Sequence, residues 1–351
     1  MLDVIATVRR DQENLTDTND YKKRIEYLMV QLNITNFRIN VGKWDASEFG
    51  TLIEDVSIIR SIASDYLKKV NVILDIPFPG KKTRVVTYAV KIGIKIKKGV
   101  KYRIYSANEM ELGKLISSDT SLKENSFFGV SISDIGNRVM VEDDILYGDG
   151  QGHFKVKSIE STNCIVVVAL NNFELNNAKS IHFKNSVEIN DLDDSVVRLI
   201  QNIRPDTIAL SFAENTEDIL KIKENLLKNN LDCKIMAKIE TQKGIDNIAI
   251  LLEIVDSIMV GRGDLGLHLD IEKFPEAVDK IIQKTKKMNK YVCVATGFMD
   301  TYVHQTIPSR SDTMDLYRTV KSPADGIVFT YNTVRDYYKI KGIVALINKW
   351  E

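Results

Sequence analysis

Apolar and polar positions change rhythm along this chain, and each change predicts an element. VIATV at 4–8 is a short apolar run and predicts a first strand. In the stretch 20–33, Ile25, Leu28, Met29 and Leu32 fall on one helical face. FRIN at 37–40 predicts a second strand, 46–69 a long helix, and VNVILDI at 70–76 a third strand. Pro77-Phe78-Pro79-Gly80 then stops regular structure. From about 85 to 187 the pattern becomes short alternating runs: VVTYAV, KYRIYSA, NRVMVEDDILY, HFKVKSIE and CIVVVAL. No helical period interrupts them, which predicts a small β-barrel or sandwich. Gly148-Asp149-Gly150, with Gly152 after it, reads as a hairpin turn and not as a phosphate loop, because no helix follows.

Helix–strand alternation resumes near 190. Helices are expected over 191–202, 214–228, 243–253, 271–288, 309–321 and 333–349. Strands are expected over 207–212, 233–239, 257–264, 291–296 and 326–330. With the insertion set aside, this gives eight strands and eight helices, the pattern of an α/β (β/α)8 TIM barrel. The expected organisation is a first barrel part at 1–84, an all-β domain at 85–188 inserted after strand three, and a second barrel part at 189–351. The insertion leaves from the end of a strand, where a lid over the barrel mouth would sit.

Composition narrows the function classes. Lys plus Arg and Asp plus Glu balance at 48 each, so no basic field points to nucleic acid or an acidic membrane. Cys164, Cys233 and Cys293 lie in apolar runs without metal-ligand spacing and read as reduced core residues. The opening MLDVIATVRRDQ lacks the pattern of a signal peptide, and no apolar run reaches the ~18 residues of a membrane span. A cytoplasmic protein is expected. His153, His182, His268 and His304 show no paired spacing, and only His268, near Asp264, stands close to candidate chemistry.

That chemistry gathers at the strand ends. MAKIET (236–241) and IMVGRGDLG (258–266) are apolar until they finish in Lys238 and Glu240, and in Arg262 and Asp264. Doubly buried parallel strands read this way, and in a barrel their C-terminal ends form the active-site face. The same ring holds Thr7, Arg38, Asn40, Asp75, Ser211, Thr296 and Thr330. Glu240 and Asp264 are the best pair for Mg2+, which uses one or two carboxylates and leaves room for water and substrate oxygens. Lys238 lies two residues before Glu240 and so faces the same side. It is placed to neutralise a phosphoryl group or an enolate. Arg38 is suited to a phosphate or carboxylate, and Asn40 and Asp75 to a second cation. The alternative is a structural ring, with Lys238–Glu240 and Arg262–Asp264 paired locally. GRGDLG matches Gly-x-Gly-x-x-Gly, but a dinucleotide turn needs a helix opening at once behind it. The glycines are read instead as exposing backbone N–H groups to a carboxylate.

At these residues the chain closely resembles the pyruvate kinase family. KIET (238–241) is similar to that family's Lys-Ile-Glu-Asn/Thr strand, and MVGRGDLG (259–266) to its Met-Val-Ala-Arg-Gly-Asp-Leu-Gly signature. FRIN, ALSF (209–212), ATGFMDTYV (295–303) and PSRSD (308–312) echo further family segments in order. The resemblance implies phosphoryl transfer between phosphoenolpyruvate and ADP, giving pyruvate and ATP through an enolate. It implies Mg2+, or Mn2+ in its place, on Glu240 and Asp264. Lys238, Arg38 and Thr296 would be catalytic. Arg262, Gly263, Asp264, Thr296 and Ser211 would bind substrate, and Asn40 and Asp75 would mark what remains of a monovalent-cation site.

The departures fall on one side. Strand one ends Thr7-Val8-Arg9-Arg10 where the family has Thr-Ile-Gly-Pro. Val41-Gly42-Lys43 replaces Phe-Ser-His, and Ile76 to Lys82 replaces Thr-Lys-Gly-Pro-Glu-Ile-Arg. Ala213-Glu214 stands where the family has its arginine, and Thr330-Tyr331-Asn332 where it has Ser-Gly-Glu. Lys43 or Lys82 is the candidate substitute for lost positive charge. The metal and enolate half of the pattern is kept, while the nucleotide and potassium half is altered, so reduced or absent potassium dependence is expected. No counterpart of the family's C-terminal regulatory domain follows the eighth helix, so a homo-oligomer other than the usual tetramer, such as a dimer, is expected. Two alternatives stand beside pyruvate kinase activity: another metal-dependent reaction on a pyruvate or 2-oxo acid enolate without a nucleotide, and a non-catalytic paralogue.

Overall fold

The computed structural model describes residues 2–10, 18–44, 46–77, 83–87, 93–108, 111–114, 126–148, 150–177, 179–183 and 192–351. The chain divides into two compact units, Met1–Phe78 with Asp191–Glu351, and Pro79–Asn190.

The first unit is the expected (β/α)8 barrel. Its strands are β1 (Asp3–Thr7), β2 (Asn36–Asn40), β3 (Asn71–Ile76), β4 (Thr207–Leu210), β5 (Lys234–Ile239), β6 (Ser257–Gly261), β7 (Tyr291–Ala295) and β8 (Gly326–Phe329). They close in sequence order, β8 pairing with β1, and every pairing is parallel. The strands are apolar on both faces because one face meets the helices and the other the barrel interior. The interior is filled by Ile5, Ile73, Ala209, Met236, Met259, Cys293, Ala295 and Val328. Small residues among larger ones let the layers interdigitate, so the barrel is packed and not a pore.

At the N-terminal ends of the strands, three aspartates repeat one device. The Asp206 backbone N–H donates to the Val72 carbonyl at 3.1 Å, and its carboxylate accepts the Val72 N–H at 2.8 Å. Asp256 does the same with Ile235, at 2.9 and 2.8 Å, and Asp325 with Val292, at 2.8 and 2.8 Å. Each clasp joins the start of an even strand to the start of the odd strand before it.

Two local expectations change. The strand predicted over 257–264 stops at Gly261, and Arg262–His268 is a short helix directly behind it, with Asp264 in its first turn. Seven residues are too few to display a helical period, so the glycines alone marked the break. A helix does open behind the strand, and it is Asp264 inside the motif that still speaks against a dinucleotide turn. The helix pattern of 20–33 is α only over Thr18–Glu26 and continues as a π turn over Tyr27–Gln31.

The second unit is a closed barrel of seven strands, with a two-stranded ribbon of Ile94–Ile96 and Phe173–Leu175. Its core stacks Tyr147 on Phe173, with Phe154 edge-on to Phe173. A short helical turn at 111–114 interrupts the β pattern. Strands Asp144–Tyr147 and Gly152–Ser161 form the expected hairpin. Gly148 and Gly150 take φ of +58° and +81° there, a region glycine enters without strain; Asp149 lies outside the described residues.

Candidate active site

Five parallel strands deliver polar side chains to the C-terminal end of the main barrel, and Asp75 at the end of β3 is where they meet. Its Oδ2 accepts from Arg38 Nε at 2.8 Å and lies 2.6 Å from Arg38 Nη2. Its Oδ1 accepts from Ser211 Oγ and Lys238 Nζ, both at 3.3 Å. Arg38 is held from its other side, with Nη1 donating to Thr7 Oγ1 at 2.9 Å. Asn40 stands opposite Asp75 in the β2–β3 ladder.

Lys238 is buried, with its amine 2.8 Å from Ser211 Oγ, 3.2 Å from Asp75 Oδ2 and 3.1 Å from Glu240 Oε1. Burial alone would lower its pKa. The negative charges of Asp75 and Glu240, with a smaller contribution from Asp264, outweigh both burial and the opposing Arg38, so the amine is held above its ordinary value. It is therefore an ammonium at neutral pH.

Glu240 is 2% exposed, and its Oε2 accepts the Phe212 N–H at 2.8 Å. Its neighbour across the ladder end is Gly261, where a Cβ would lie 2.5 Å from Glu240 Cγ. This close approach leaves no room for a side chain at Gly261. Asp264 is half-buried, in the first turn of the helix that follows Gly261. His268, on the same helix, packs edge-on to Phe212 at 5.9 Å. Burial lowers its pKa against the pull of Asp264 and Glu214.

A second cluster forms on β6 and β7. Arg262 donates from Nε and Nη2 to the Thr296 carbonyl, at 2.8 and 2.5 Å, and from Nη1 to Asp315 at 2.9 Å. Its guanidinium carbon lies 3.8 Å from the centre of the Phe298 ring. These contacts hold Thr296 at φ +69°, left-handed backbone that a β-branched residue rarely adopts. The Gly263 N–H donates to Thr296 Oγ1 at 3.2 Å. Arg262 forms an ion pair with Asp315, where the structural-ring alternative paired it with Asp264. Lys238–Glu240 does form, but as part of a larger network through Asp75.

The site's donor set is hard oxygen. Among the described residues no group of three or more His, Cys, Asp or Glu is arranged to hold a metal. Glu240 and Asp264 supply two carboxylates, a number that suits Mg2+ completed by water and substrate oxygens. Arg38 and Lys238 against Asp75, Glu240 and Asp264 leave one negative charge, so a divalent cation fits the site's electrostatics as well as its ligand type.

Sequence reasoning named most members of both clusters but not their wiring. It overlooked Asp315, Phe298 and the Phe212 N–H, whose contacts come from segments far apart in the chain. The altered strand ends also meet in space. The Arg9 guanidinium lies 4.6 Å from the centre of the Tyr331 ring and that of Arg24 lies 5.5 Å from it, while Arg24 Nη1 donates to Tyr331 Oη at 3.0 Å. Arg10 is buried and paired with Asp55 at 2.6 Å and Glu54 at 2.7 Å. Thr330 Oγ1 contacts Thr333 Oγ1 at 3.2 Å. Lys82 lies outside the described residues, and of Lys43 only the backbone is described, in the turn Val41–Lys43.

Residues 14–343 match the barrel domain of pyruvate kinase as a family. The chain is 26% identical over 324 residues to a pyruvate kinase of Thermotoga maritima, covering 91% of this chain and 65% of that protein. It is 30% identical over 302 residues to one of Staphylococcus haemolyticus, covering 84% and 48%. A pyruvate kinase of Clostridium perfringens is 25% identical over 329 residues, covering 92% and 65%. The chain thus spans between 48% and 65% of the length of these relatives. Among the described residues no helix is long and apolar enough to cross a membrane. With the parallel barrel, the strand-end cluster and a match over nearly its whole length, this chain belongs to the pyruvate kinase family.

Proposed function

We propose that the protein transfers a phosphoryl group between phosphoenolpyruvate and ADP, giving pyruvate and ATP. The observation that carries this reading is the buried ammonium of Lys238, held by Asp75, Ser211 and Glu240 at the strand ends of a pyruvate kinase barrel. Glu240 and Asp264 would hold Mg2+, or Mn2+. When bound, the ion supplies positive charge against the phosphoryl and carboxylate oxygens of the substrate. The net negative charge of the protein groups supports this need, because an anionic substrate is repelled until a divalent cation reverses the sign.

In the transfer, the bond from phosphorus to the enol oxygen breaks and a bond to a terminal oxygen of ADP forms. Lys238 opposes the charge that collects on the departing enolate oxygen, and Arg38, aimed by Asp75 and Thr7, grips the phosphoryl oxygens. Ser211 orients the Lys238 amine. The Gly263 backbone, with Arg262 fixing Thr296, forms the wall for the substrate carboxylate, and Thr296 faces the methylene carbon that takes the final proton. Asp75 has both oxygens engaged by Arg38, Lys238 and Ser211, so weak dependence on potassium at the Asn40–Asp75 position belongs to this reading.

The test is pyruvate formation from phosphoenolpyruvate with Mg2+, with and without ADP, in wild type and Lys238→Met. ADP-dependent turnover abolished by the substitution supports the proposal. A second reading, chemistry on the same enolate without a nucleotide, is favoured by the Arg9–Tyr331–Arg24 packing at the altered strand ends. It predicts that oxalate with Mg2+ raises the melting temperature while ADP with Mg2+ leaves it unchanged.

A further inference from the structure

At the opposite end of the main barrel, the N-terminal ends of the strands surround a cavity of about 280 Å³. Ile73 and Met236 form its floor and polar residues its wall. We propose that this cavity is a binding site for a small unphosphorylated polyol, a site separate from the strand-end chemistry above.

Four groups on the wall carry hydrogen-bonding capacity that no bond seen among the described residues takes up. Ser257 is 7% exposed and lines the cavity, and no hydrogen bond of its hydroxyl is seen among the described residues. The hydroxyl opens onto the cavity, where it can donate to or accept from a bound group. Asp3 accepts Tyr291 Oη at 3.0 Å through one oxygen, leaving the other open. Asp256 spends one oxygen on the Ile235 N–H and leaves the second. Asn36 receives the Asn71 amide at 3.0 Å on its oxygen, which leaves its own N–H groups to the cavity.

The ligand class follows from the mixture. Acceptors on Asp3 and Asp256 stand in the same wall as donors on Asn36 and the exposed Lys234, and Ser257 can do either. A hydroxyl group donates and accepts at once, so adjacent hydroxyls satisfy such a wall where a pure donor or pure acceptor would not. Two carboxylates against one ammonium disfavour phosphorylated and carboxylate metabolites, which sets the cavity apart from any site for phosphoenolpyruvate or ADP. Each carboxylate already gives one oxygen to a neutral donor, which leaves one oxygen apiece to meet a ligand hydroxyl. The volume equals that of about nine waters, enough for a five- or six-carbon polyol.

The experiment is calorimetric titration of the full chain with xylitol and with D-glucose, in wild type, Ser257→Val and Lys234→Met. Valine suits a strand and Lys234 is exposed, and circular dichroism checks that both variants fold. The expected result is saturable binding of one molecule per chain of at least one probe, with a Kd at or below about 1 mM, weakened about tenfold or more in both variants. Absence of saturable binding overturns the proposal, as does binding that both variants retain. A melting temperature that climbs linearly and equally in all three proteins is solvent exclusion and also overturns it. None of these outcomes depends on turnover, so the reading of the catalytic end stands or falls separately.

Discussion

Adding one methyl group at Gly261 tests how tightly the carboxylate half of the site is built. The Cβ of Gly261→Ala would lie 2.5 Å from Glu240 Cγ, 2.7 Å from its Oε1 and 2.9 Å from its Cδ. Carbon atoms rest about 3.5–4.0 Å apart, so Glu240 must retreat by about 1 Å. It has no slack for this, because the Phe212 N–H holds one oxygen at 2.8 Å and Lys238 the other at 3.1 Å. Overpacking a filled site costs about 1–3 kcal/mol. Loosening a hydrogen bond to a buried charge adds to that, so about 2–3 kcal/mol is the expected loss. At about 2–4 °C per kcal/mol, the melting temperature falls by about 5–10 °C. With Glu240 holding the metal as proposed, its displacement also weakens Mn2+ binding about tenfold or more, read by electron paramagnetic resonance titration. Gly263→Ala is the control from the same motif: its Cβ meets nothing nearer than Thr296 Oγ1 at 3.5 Å. That variant sits in a helix, where alanine is favoured by up to about 1 kcal/mol. The reasoning is refuted if Gly261→Ala melts within about 1 °C of wild type and keeps its Mn2+ affinity.

Three further outcomes are expected. Arg262→Lys loses the planar fork shared by the Thr296 carbonyl and Asp315, and the stacking on Phe298, and should lower stability by about 2 kcal/mol in urea titration. Lys238 has a folded pKa above its unfolded value, so its contribution is complete below about pH 10.5 and is lost as pH rises through the folded value; melting curves across that range should fall in wild type and lack this component in Lys238→Met. Asp256→Ala removes the acceptor of the Ile235 N–H, costs about 1 kcal/mol, and should accelerate exchange of that amide about fivefold where exchange is by local opening.

The barrel was readable because each strand is a short apolar run and each helix keeps its own period. Closure followed from counting eight of each. The point of failure was Arg262–Asp264, where an apolar strand passes into a helix of seven residues with only glycines to mark the join. The site's members were readable as charges at strand ends, since burying a charge there demands a reason. Their connections were not. Asp75 and Lys238 are separated by 163 positions and Arg262 and Asp315 by 53, and local pattern carries no information about which partner a buried charge finds. Tyr331 illustrates the same limit: its position marked a departure from the family pattern, but only the fold shows that the other departure, Arg9, lies on its face.

The three aspartate clasps at the N-terminal ends of β4, β6 and β8 have a consequence for how this molecule can change. Each clasp fixes a strand's height relative to its neighbour with two hydrogen bonds, and none of its atoms reaches the opposite end. Alignment is thus settled at one rim, and side chains at the other can be exchanged without letting a strand slide. That separation leaves Arg9, Glu214 and Tyr331 free to diverge on a scaffold whose geometry other residues hold. A barrel built this way can take new side chains at its mouth while its foundations stay put.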